Sequence, residues 1–274
     1  MIPASFDYLE ASSVDHAIAL FAEHGDAKFL AGGHSLVPMM KLRLVSPSVL
    51  IDIGRIAELS YIDDRGDHVA VGALTRHREL EDSSLLAEQI GLLAHVAGQV
   101  GDPQVRNRGT IGGSLVHGDP AADLPAASLA LRASMVITGA AGQRVVPAVD
   151  FFVNFLETAV GDGELLTEIR FPKRTGTRWA YQKFNRRAMD YAIVAVAVQL
   201  GDNPGIALVN MGPTPHFAAA ASAALAAGAP ASKIADAVLE GTGAWDDSNA
   251  TREYREHLAR ELTTRALAKA GYTS

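Results

Sequence analysis

The most informative stretch of this chain is Ala31-Gly32-Gly33-His34-Ser35-Leu36, and a second stretch, Thr110-Ile111-Gly112-Gly113-Ser114-Leu115, repeats its pattern. Each stretch places two glycines beside a small hydroxyl residue, so the backbone can turn sharply and approach an anion without a Cβ atom in the way. Each also opens a predicted helix, whose first N–H groups and dipole favour negative charge. One such stretch is a common turn, but two with matched patterns predict the two halves of one phosphate-binding site.

The residues around the first stretch predict alternating helices and strands. A helix is predicted over residues 14–24, a strand over 27–30, a turn of helix over 36–43 and a strand over 49–53. Apolar strands covered by amphipathic helices are typical of an α/β layer, because they bury both faces of the sheet. A first subdomain is accordingly predicted over about residues 1–56.

A second subdomain is predicted over about residues 57–175. Its longest helix, over residues 85–100, is expected to end at Gly101, and the second glycine stretch follows directly. Pro120 is expected to start another helix, because proline is well accommodated in a first helical turn. A polar, glycine-containing segment over residues 172–177 then marks the predicted domain boundary.

The carboxy-terminal region has a different pattern. Three strands are predicted there, over residues 181–184, 192–200 and 205–210. The tight turn over residues 201–205 indicates that the last two strands are antiparallel. Alanine-rich residues 216–231 predict a helix packed closely on that sheet, and residues 249–270 predict a last amphipathic helix. The predicted fold class is therefore α/β with α+β character: two amino-terminal subdomains followed by an antiparallel sheet with helices.

The composition limits the classes of protein to consider. The 274 residues suit about two domains, and 48% hydrophobic with 20% charged residues is typical of a folded rather than a disordered chain. The net charge of −7 argues against a nucleic-acid partner. There is no cysteine, so disulfides, thiolate nucleophiles and cysteine-ligated zinc or iron–sulfur clusters are excluded from this chain.

The sequence predicts neither a metal site nor a membrane-spanning or secretory segment. The nine histidines include suggestive neighbours around His77 and His117, but no second cluster with matching spacing, so no metal ligands are expected. The sequence shows neither a secretory signal pattern at its amino terminus nor an apolar run of about 18 residues. We therefore expect no transmembrane segment and a cytoplasmic protein.

Three strings of residues, over 31–43, 106–125 and 181–194, carry a resemblance to a known family. They resemble the FAD-binding medium subunit of the molybdenum hydroxylase family, of the carbon monoxide dehydrogenase and xanthine dehydrogenase type, and the resemblance covers nearly the whole chain. It implies an FAD-binding domain of the PCMH type over residues 1–175. It also implies a carboxy-terminal domain of the CO dehydrogenase flavoprotein type over residues 176–274.

This resemblance implies an oxidoreductase subunit that binds FAD non-covalently and transfers electrons. In such complexes a substrate is oxidised at a molybdopterin cofactor on a large subunit, and electrons pass through two [2Fe-2S] clusters on a small subunit to the FAD and then to an external acceptor. The complex would be a heterotrimer or a dimer of heterotrimers. The lack of cysteine agrees with clusters on another chain.

The resemblance also implies a set of FAD-binding residues and no catalytic residue. The set comprises Phe29, Leu30, Ala31, Gly32, Gly33, His34, Ser35, Leu36, Thr110, Ile111, Gly112, Gly113, Ser114, Asp123, Leu166, Lys183 and Tyr191. Backbone N–H groups of both glycine stretches are expected at the pyrophosphate, and Asp123 at the adenosine. Lys183 is expected near the pyrimidine end of the flavin, where a cation would raise its potential. Tyr191 either edges the isoalloxazine ring or is an ordinary core tyrosine.

Two alternatives remain open from the sequence. Single-chain flavin oxidases with a related fold also use a Gly-Gly-His segment, and there the histidine bonds covalently to the flavin, so His34 could mark such an oxidase. The glycine stretches could instead belong to a nucleotide-binding module without redox chemistry. Flavin that stays with the acid-precipitated protein would indicate the first alternative, and a colourless protein would indicate the second.

Overall fold

The amino-terminal region forms a parallel three-stranded sheet in the computed structural model, which describes residues 2–273. The elements of this region are β1 (Asp7–Glu10), α1 (Val14–Glu23), β2 (Ala27–Leu30), α2 (Leu36–Lys41) and β3 (Val49–Asp52). The strand order is β1-β3-β2, so β3 pairs with both neighbours. Helix α1 begins where the Ser13 side chain accepts the N–H of His16. The predicted elements therefore agree with the structure to within one or two residues at their ends.

The second region, over residues 57–172, contains an antiparallel five-stranded sheet with strand order β4-β5-β10-β6-β7. Its elements are a 3₁₀ helix (Ala57–Leu59), β4 (Ile62–Asp64), β5 (His68–Gly72), α3 (His77–Asp82), α4 (Ser84–Gln89), α5 (Gly91–Gly98), α6 (Pro103–Arg108), α7 (Ile111–His117), α8 (Asp123–Ala130), β6 (Ser134–Gly139), β7 (Gly142–Pro147), α9 (Ala148–Phe151), β8 (Phe152–Asn154), β9 (Glu157–Thr158) and β10 (Leu165–Pro172). Strands β8 and β9 form a separate short hairpin.

Two helices of this region differ from the prediction. The single helix expected over residues 85–100 is broken into α4 and α5 at Ile90, whose backbone is not helical. The break allows Gly91 to lie directly against Trp179, where a Cβ atom would come within 2.6 Å of the indole nitrogen. The helix expected to start at Pro120 begins at Asp123 instead, because the Asp119 side chain accepts the N–H of Ala121 and holds a turn there.

The carboxy-terminal region confirms the predicted antiparallel sheet, with strand order β11-β12-β13-β14. Its elements are β11 (Trp179–Phe184), β12 (Val194–Gln199), β13 (Gly205–Val209), β14 (His216–Phe217), α10 (Ala219–Ala226), α11 (Ala231–Ala237) and α12 (Arg252–Lys269). The short strand β14 was predicted as part of a helix. It is extended because Phe217 pairs with Ala207 on β13, so the alanine-rich helix starts only after it.

Helix α8 is buried between the second sheet region and the carboxy-terminal sheet. All of its residues are buried, and its apolar side chains share one core with Ala195 and Ala197 of β12. The alternate residues Val196 and Val198 belong to a second core, with α10, α11 and α12. Small residues on the α8 side allow a close approach, and a Cβ atom on Gly205 would overlap the carbonyl oxygen of Ala130.

Within residues 2–273, no helix combines the length and the apolar composition that crossing a bilayer requires.

Candidate functional site

A cavity of about 660 Å³ lies where all three regions meet. Its volume is within the range of roughly 300 to 1,000 Å³ that is typical of small-molecule sites. Thirteen of the predicted site residues line it, namely Phe29, Ala31, Gly32, Gly33, His34, Ser35, Leu36, Thr110, Gly113, Ser114, Asp123, Lys183 and Tyr191. The fold thus brings the two glycine stretches and the carboxy-terminal region to one site.

Four predicted site residues do not line the cavity. Ile111 and Leu166 have 0% and 4% of their surface exposed and belong to the hydrophobic core. Leu30 ends β2, where its carbonyl oxygen accepts the N–H of Ile53. Gly112 serves helix packing, because a Cβ atom there would lie 2.6 Å from both the Cβ atom and the carbonyl oxygen of Ala73.

The first glycine stretch presents a row of free hydrogen-bond donors to the cavity. Across the described part of the chain, none of the backbone N–H groups of residues 31–36 donates to a protein acceptor. Gly33 has a φ angle of +79°, a left-handed conformation that glycine adopts without strain. Successive backbone N–H groups without protein acceptors at a glycine turn can bind an anion, so this stretch has the donor set for a phosphate.

The second glycine stretch differs from the prediction, because its N–H groups are already engaged. The N–H groups of Ile111 and Gly112 donate to the carbonyl oxygens of Thr75 and Ala73, at 3.0 and 2.8 Å. Those of Gly113 and Ser114 donate to the hydroxyl and the carbonyl oxygen of Thr110. Thr110 caps α7, and the first turn of that helix is hydrogen-bonded to the backbone of residues 73–75. What this stretch offers the cavity is therefore the hydroxyl groups of Thr110 and Ser114.

The two stretches touch through Gly32. A Cβ atom on Gly32 would overlap the carbonyl oxygen of Arg108, and the Arg76 guanidinium donates to that same oxygen. The close approach is open only to glycine. This contact therefore holds the row of free donors against residues 108 and 109, which directly precede the second stretch.

Asp123 and Lys183 form a buried ion pair in the wall of the cavity. The Lys183 Nζ lies 2.8 Å from Asp123 Oδ2, and the side chains are 8% and 6% exposed. Tyr181 also donates to Asp123, and Lys183 donates to the carbonyl oxygen of Gln99 at 3.2 Å. Burial raises the pKa of the Asp123 carboxyl, and the Lys183 ammonium opposes that shift. The resemblance assigns Asp123 to the adenosine and Lys183 to the flavin ring, and in the structure the two side chains lie side by side.

Tyr191 lies at the mouth of the cavity and is 61% exposed, which contradicts the alternative of a core tyrosine. The backbone just after it is firmly held. Asn210 donates to the carbonyl oxygen of Ala192 at 3.0 Å, and the buried Arg255 donates to that of Ile193 at 2.5 Å. Tyr191 therefore belongs to an anchored segment and is exposed at the edge of the cavity.

Several residues that the sequence did not single out as a ligand site also line the cavity, among them Leu156, Met189, Asp190, His77 and His117. His77 is 4% exposed, and its Nδ1 atom is enclosed without a hydrogen-bond partner. Burial also lowers the pKa of His117. Within residues 2–273, no group of three or more His, Asp or Glu side chains is placed to hold a metal ion.

His77 should make the protein less stable in mild acid. Burial, aided by His34, Arg76 and Arg106, lowers its pKa to about 4, from the ordinary 6.5. The unfolded chain therefore takes up a proton below about pH 6.5, whereas the folded protein does so only near pH 4. The stability that neutral His77 contributes is complete above about pH 6.5 and falls by about 3 kcal/mol as the pH approaches 4. Urea unfolding of the apoprotein should show this slope, and His77→Gln should lose it; an unchanged slope would contradict the assignment.

Known proteins resemble this chain over nearly its whole length. Residues 4–174 match the family model of the FAD binding domain in molybdopterin dehydrogenase, and residues 179–270 match that of the CO dehydrogenase flavoprotein C-terminal domain. The carbon monoxide dehydrogenase medium chain of Afipia carboxidovorans is 40% identical, with 98% of each chain covered. Caffeine dehydrogenase subunit beta of Pseudomonas sp. is 35% identical, covering 98% of this chain and 96% of its own. A chain of reconstituted CO dehydrogenase from Oligotropha carboxidovorans matches with a TM-score of 0.96, at 37% identity and full coverage of both chains.

Proposed function

This chain belongs to the FAD-binding medium subunits of the molybdenum hydroxylase family, and we propose that it passes electrons from the iron–sulfur clusters of a partner subunit to an external acceptor. The observation that supports this most directly is the row of free N–H donors at residues 31–36 in a cavity that three regions of the chain enclose. Such a row suits the pyrophosphate of a flavin dinucleotide. The bound flavin would supply the redox chemistry.

The residues present fit FAD. The N–H groups of residues 31–36 and the hydroxyl of Ser114 would hold the pyrophosphate, because all of these residues line the same cavity and the N–H groups have no protein acceptor. Tyr191 would cover the isoalloxazine ring at the cavity mouth, and the Asp123–Lys183 ion pair would lie at one end of the cofactor. The domain division that accompanies this proposal is residues 1–175 for the FAD-binding domain and 176–274 for the carboxy-terminal domain.

The partners follow from chemistry that this chain lacks. Without cysteine it cannot ligate an iron–sulfur cluster of the usual kind, so the two [2Fe-2S] clusters belong to a small partner subunit and the molybdopterin to a large one. The relatives are named for different substrates, including carbon monoxide, glyceraldehyde and caffeine. Substrate choice would accordingly lie on the large subunit, and the complex would work in the cytoplasm.

A covalent flavin bond is the alternative that one observation favours, since the exposed His34 lines the cavity. Acid precipitation of the purified protein separates the two proposals. We expect yellow protein whose FAD moves entirely to the supernatant and which oxidises no substrate alone. Flavin that stays in the pellet of the native chain, and leaves it in His34→Ala, would establish the covalent form. A chain that stays colourless after incubation with FAD would contradict both and leave a nucleotide-binding module.

A further inference from the structure

His77 is a polar side chain that folding has buried without giving its ring a partner. It is the first residue of α3, its ring lines the large cavity, and the chain encloses its Nδ1 atom with no acceptor or donor in reach. Most buried polar atoms in folded proteins are hydrogen-bonded. No protein group in the described residues bonds Nε2 either, and because Nδ1 is closed off, Nε2 is the ring atom that a bound molecule in the cavity can complete.

The chain makes specific room for this ring. A Cβ atom on Gly109 would lie 2.7 Å from both Cδ2 and Nε2 of His77, so the residue beside the ring has to be glycine. The backbone N–H of His77 donates to the carbonyl oxygen of Gly109 at 3.1 Å, which holds the backbone of His77 beside Gly109. Gly32 of the first glycine stretch packs on the peptide just before Gly109. The ring therefore occupies the same corner of the cavity as the row of free N–H donors.

The electrostatic surroundings of the ring favour an anion as its partner. His34, Arg76 and Arg106 all disfavour a positive charge on the His77 ring. Together with burial they keep the imidazole neutral near neutral pH, so one ring nitrogen carries a proton and the other does not. A proton on the enclosed Nδ1 would leave a buried donor unpaired, which is costly. The proton therefore belongs on Nε2, the nitrogen that the cavity can reach.

We propose that His77 is an FAD-contacting residue, whose Nε2–H donates a hydrogen bond to a phosphate oxygen of the cofactor beside the N–H groups of residues 31–36. This inference rests on the proposed function. The neutral imidazole adds a donor at a corner already crowded with cationic groups, where an additional cation would be disfavoured. Pyrophosphate recognition is thereby extended from the backbone of the first region to a side chain of the second.

Three substitutions at His77 distinguish the effect of losing the Nε2–H donor from the effect of changing the size of the side chain. His77→Phe keeps the ring but removes the donor, His77→Gln places an amide N–H near the position of Nε2, and His77→Asn places it near Nδ1. Fluorescence titration of the apoprotein should show FAD affinity reduced about 10- to 100-fold in His77→Phe and His77→Asn, as for the loss of a hydrogen bond to a charged group. His77→Gln should retain most of the affinity. Riboflavin, which has no phosphate, should bind equally to all four proteins.

Nuclear magnetic resonance of the native chain provides a second readout that does not depend on any variant folding. With nitrogen-15-labelled histidine, the His77 ring should show the neutral form with its proton on Nε2, and addition of FAD should shift that N–H and couple it to a phosphorus nucleus. A proton on Nδ1, or an Nε2–H unaffected by FAD, would overturn the inference. If the native chain bound FAD and His77→Phe bound it equally well, the inference would fail while the proposed function stood. If the native chain bound no FAD, the proposed function itself would fail.

Discussion

Gly32→Ala is expected to weaken FAD binding about 1,000-fold. The new Cβ atom would overlap the carbonyl oxygen of Arg108, and a backbone oxygen that also accepts from Arg76 cannot simply move away. The first stretch would have to shift, and two or three of its N–H groups would lose the phosphate. Each hydrogen bond to a charged group contributes about 1.5 to 3 kcal/mol, so a loss of about 4 kcal/mol corresponds to this factor.

The matched control for this substitution is Gly25→Ala. Gly25 lies shortly before β2, its φ is not in the left-handed range, and an added Cβ atom would meet nothing within 4 Å. Titration of both apoproteins with FAD, followed by flavin fluorescence, gives the comparison. If Gly32→Ala bound FAD as tightly as Gly25→Ala, the first glycine stretch would not be the phosphate site.

The second large effect is expected for Lys183→Met, which should lower the free energy of unfolding by about 3 to 5 kcal/mol. The substitution removes the ammonium 2.8 Å from Asp123 and leaves a carboxylate that is only 6% exposed without its counter-charge. Tyr181 continues to donate to the carboxylate but carries no positive charge. Urea unfolding of the apoprotein at neutral pH measures the change.

An exposed ion pair of the same residue types provides the control. Lys173 lies 2.7 Å from Asp64, but these side chains are 24% and 45% exposed, so Lys173→Met should lower the free energy of unfolding far less than Lys183→Met does. The double variant Asp123→Asn, Lys183→Met should recover much of the loss, since no uncompensated charge remains. Equal effects of the two lysine substitutions would show that the Asp123 carboxyl is not held as an anion in the folded protein.

Local patterns were sufficient to predict most of the fold. Strand β2 and the antiparallel strands β12 and β13 follow from apolar runs bounded by turn residues, which act over a few neighbouring positions. The break at Ile90 could not be predicted in this way, because it goes together with the contact of Gly91 with Trp179, which lies far away in the sequence. The same holds for β14, which is extended because of its pairing with β13.

For the site, the sequence identified the two glycine stretches, but it did not show that the N–H groups of the first are free while those of the second donate within the protein. Paired glycines beside a hydroxyl predict turns that can accept an anion, and the first stretch has that form. In the second, Gly112 donates to Ala73 because α7 docks there, a tertiary contact with no local signature. The Asp123–Lys183 ion pair joins residues 60 positions apart, and spacing gave no indication that they meet. His77 lay outside every motif considered for the phosphate site.

The burial of α8 on both sides limits where segments of such a subunit can be exchanged between relatives to make a chimeric protein. Its residues share one core with the sheet that follows residue 178, so a chimera joined near residue 175 would bring together two surfaces that evolved apart. The parallel sheet at the amino terminus has its own core, to which, among the described residues, only Leu74 and Leu165 are contributed from beyond residue 59. The natural seam for exchanging parts between relatives is therefore just after residue 59, which keeps Ile56 and Leu59 with this core. Grafting the first 59 residues would replace the row of phosphate donors as one piece, provided that the contacts with Leu74, Leu165 and the Arg108 carbonyl oxygen are matched.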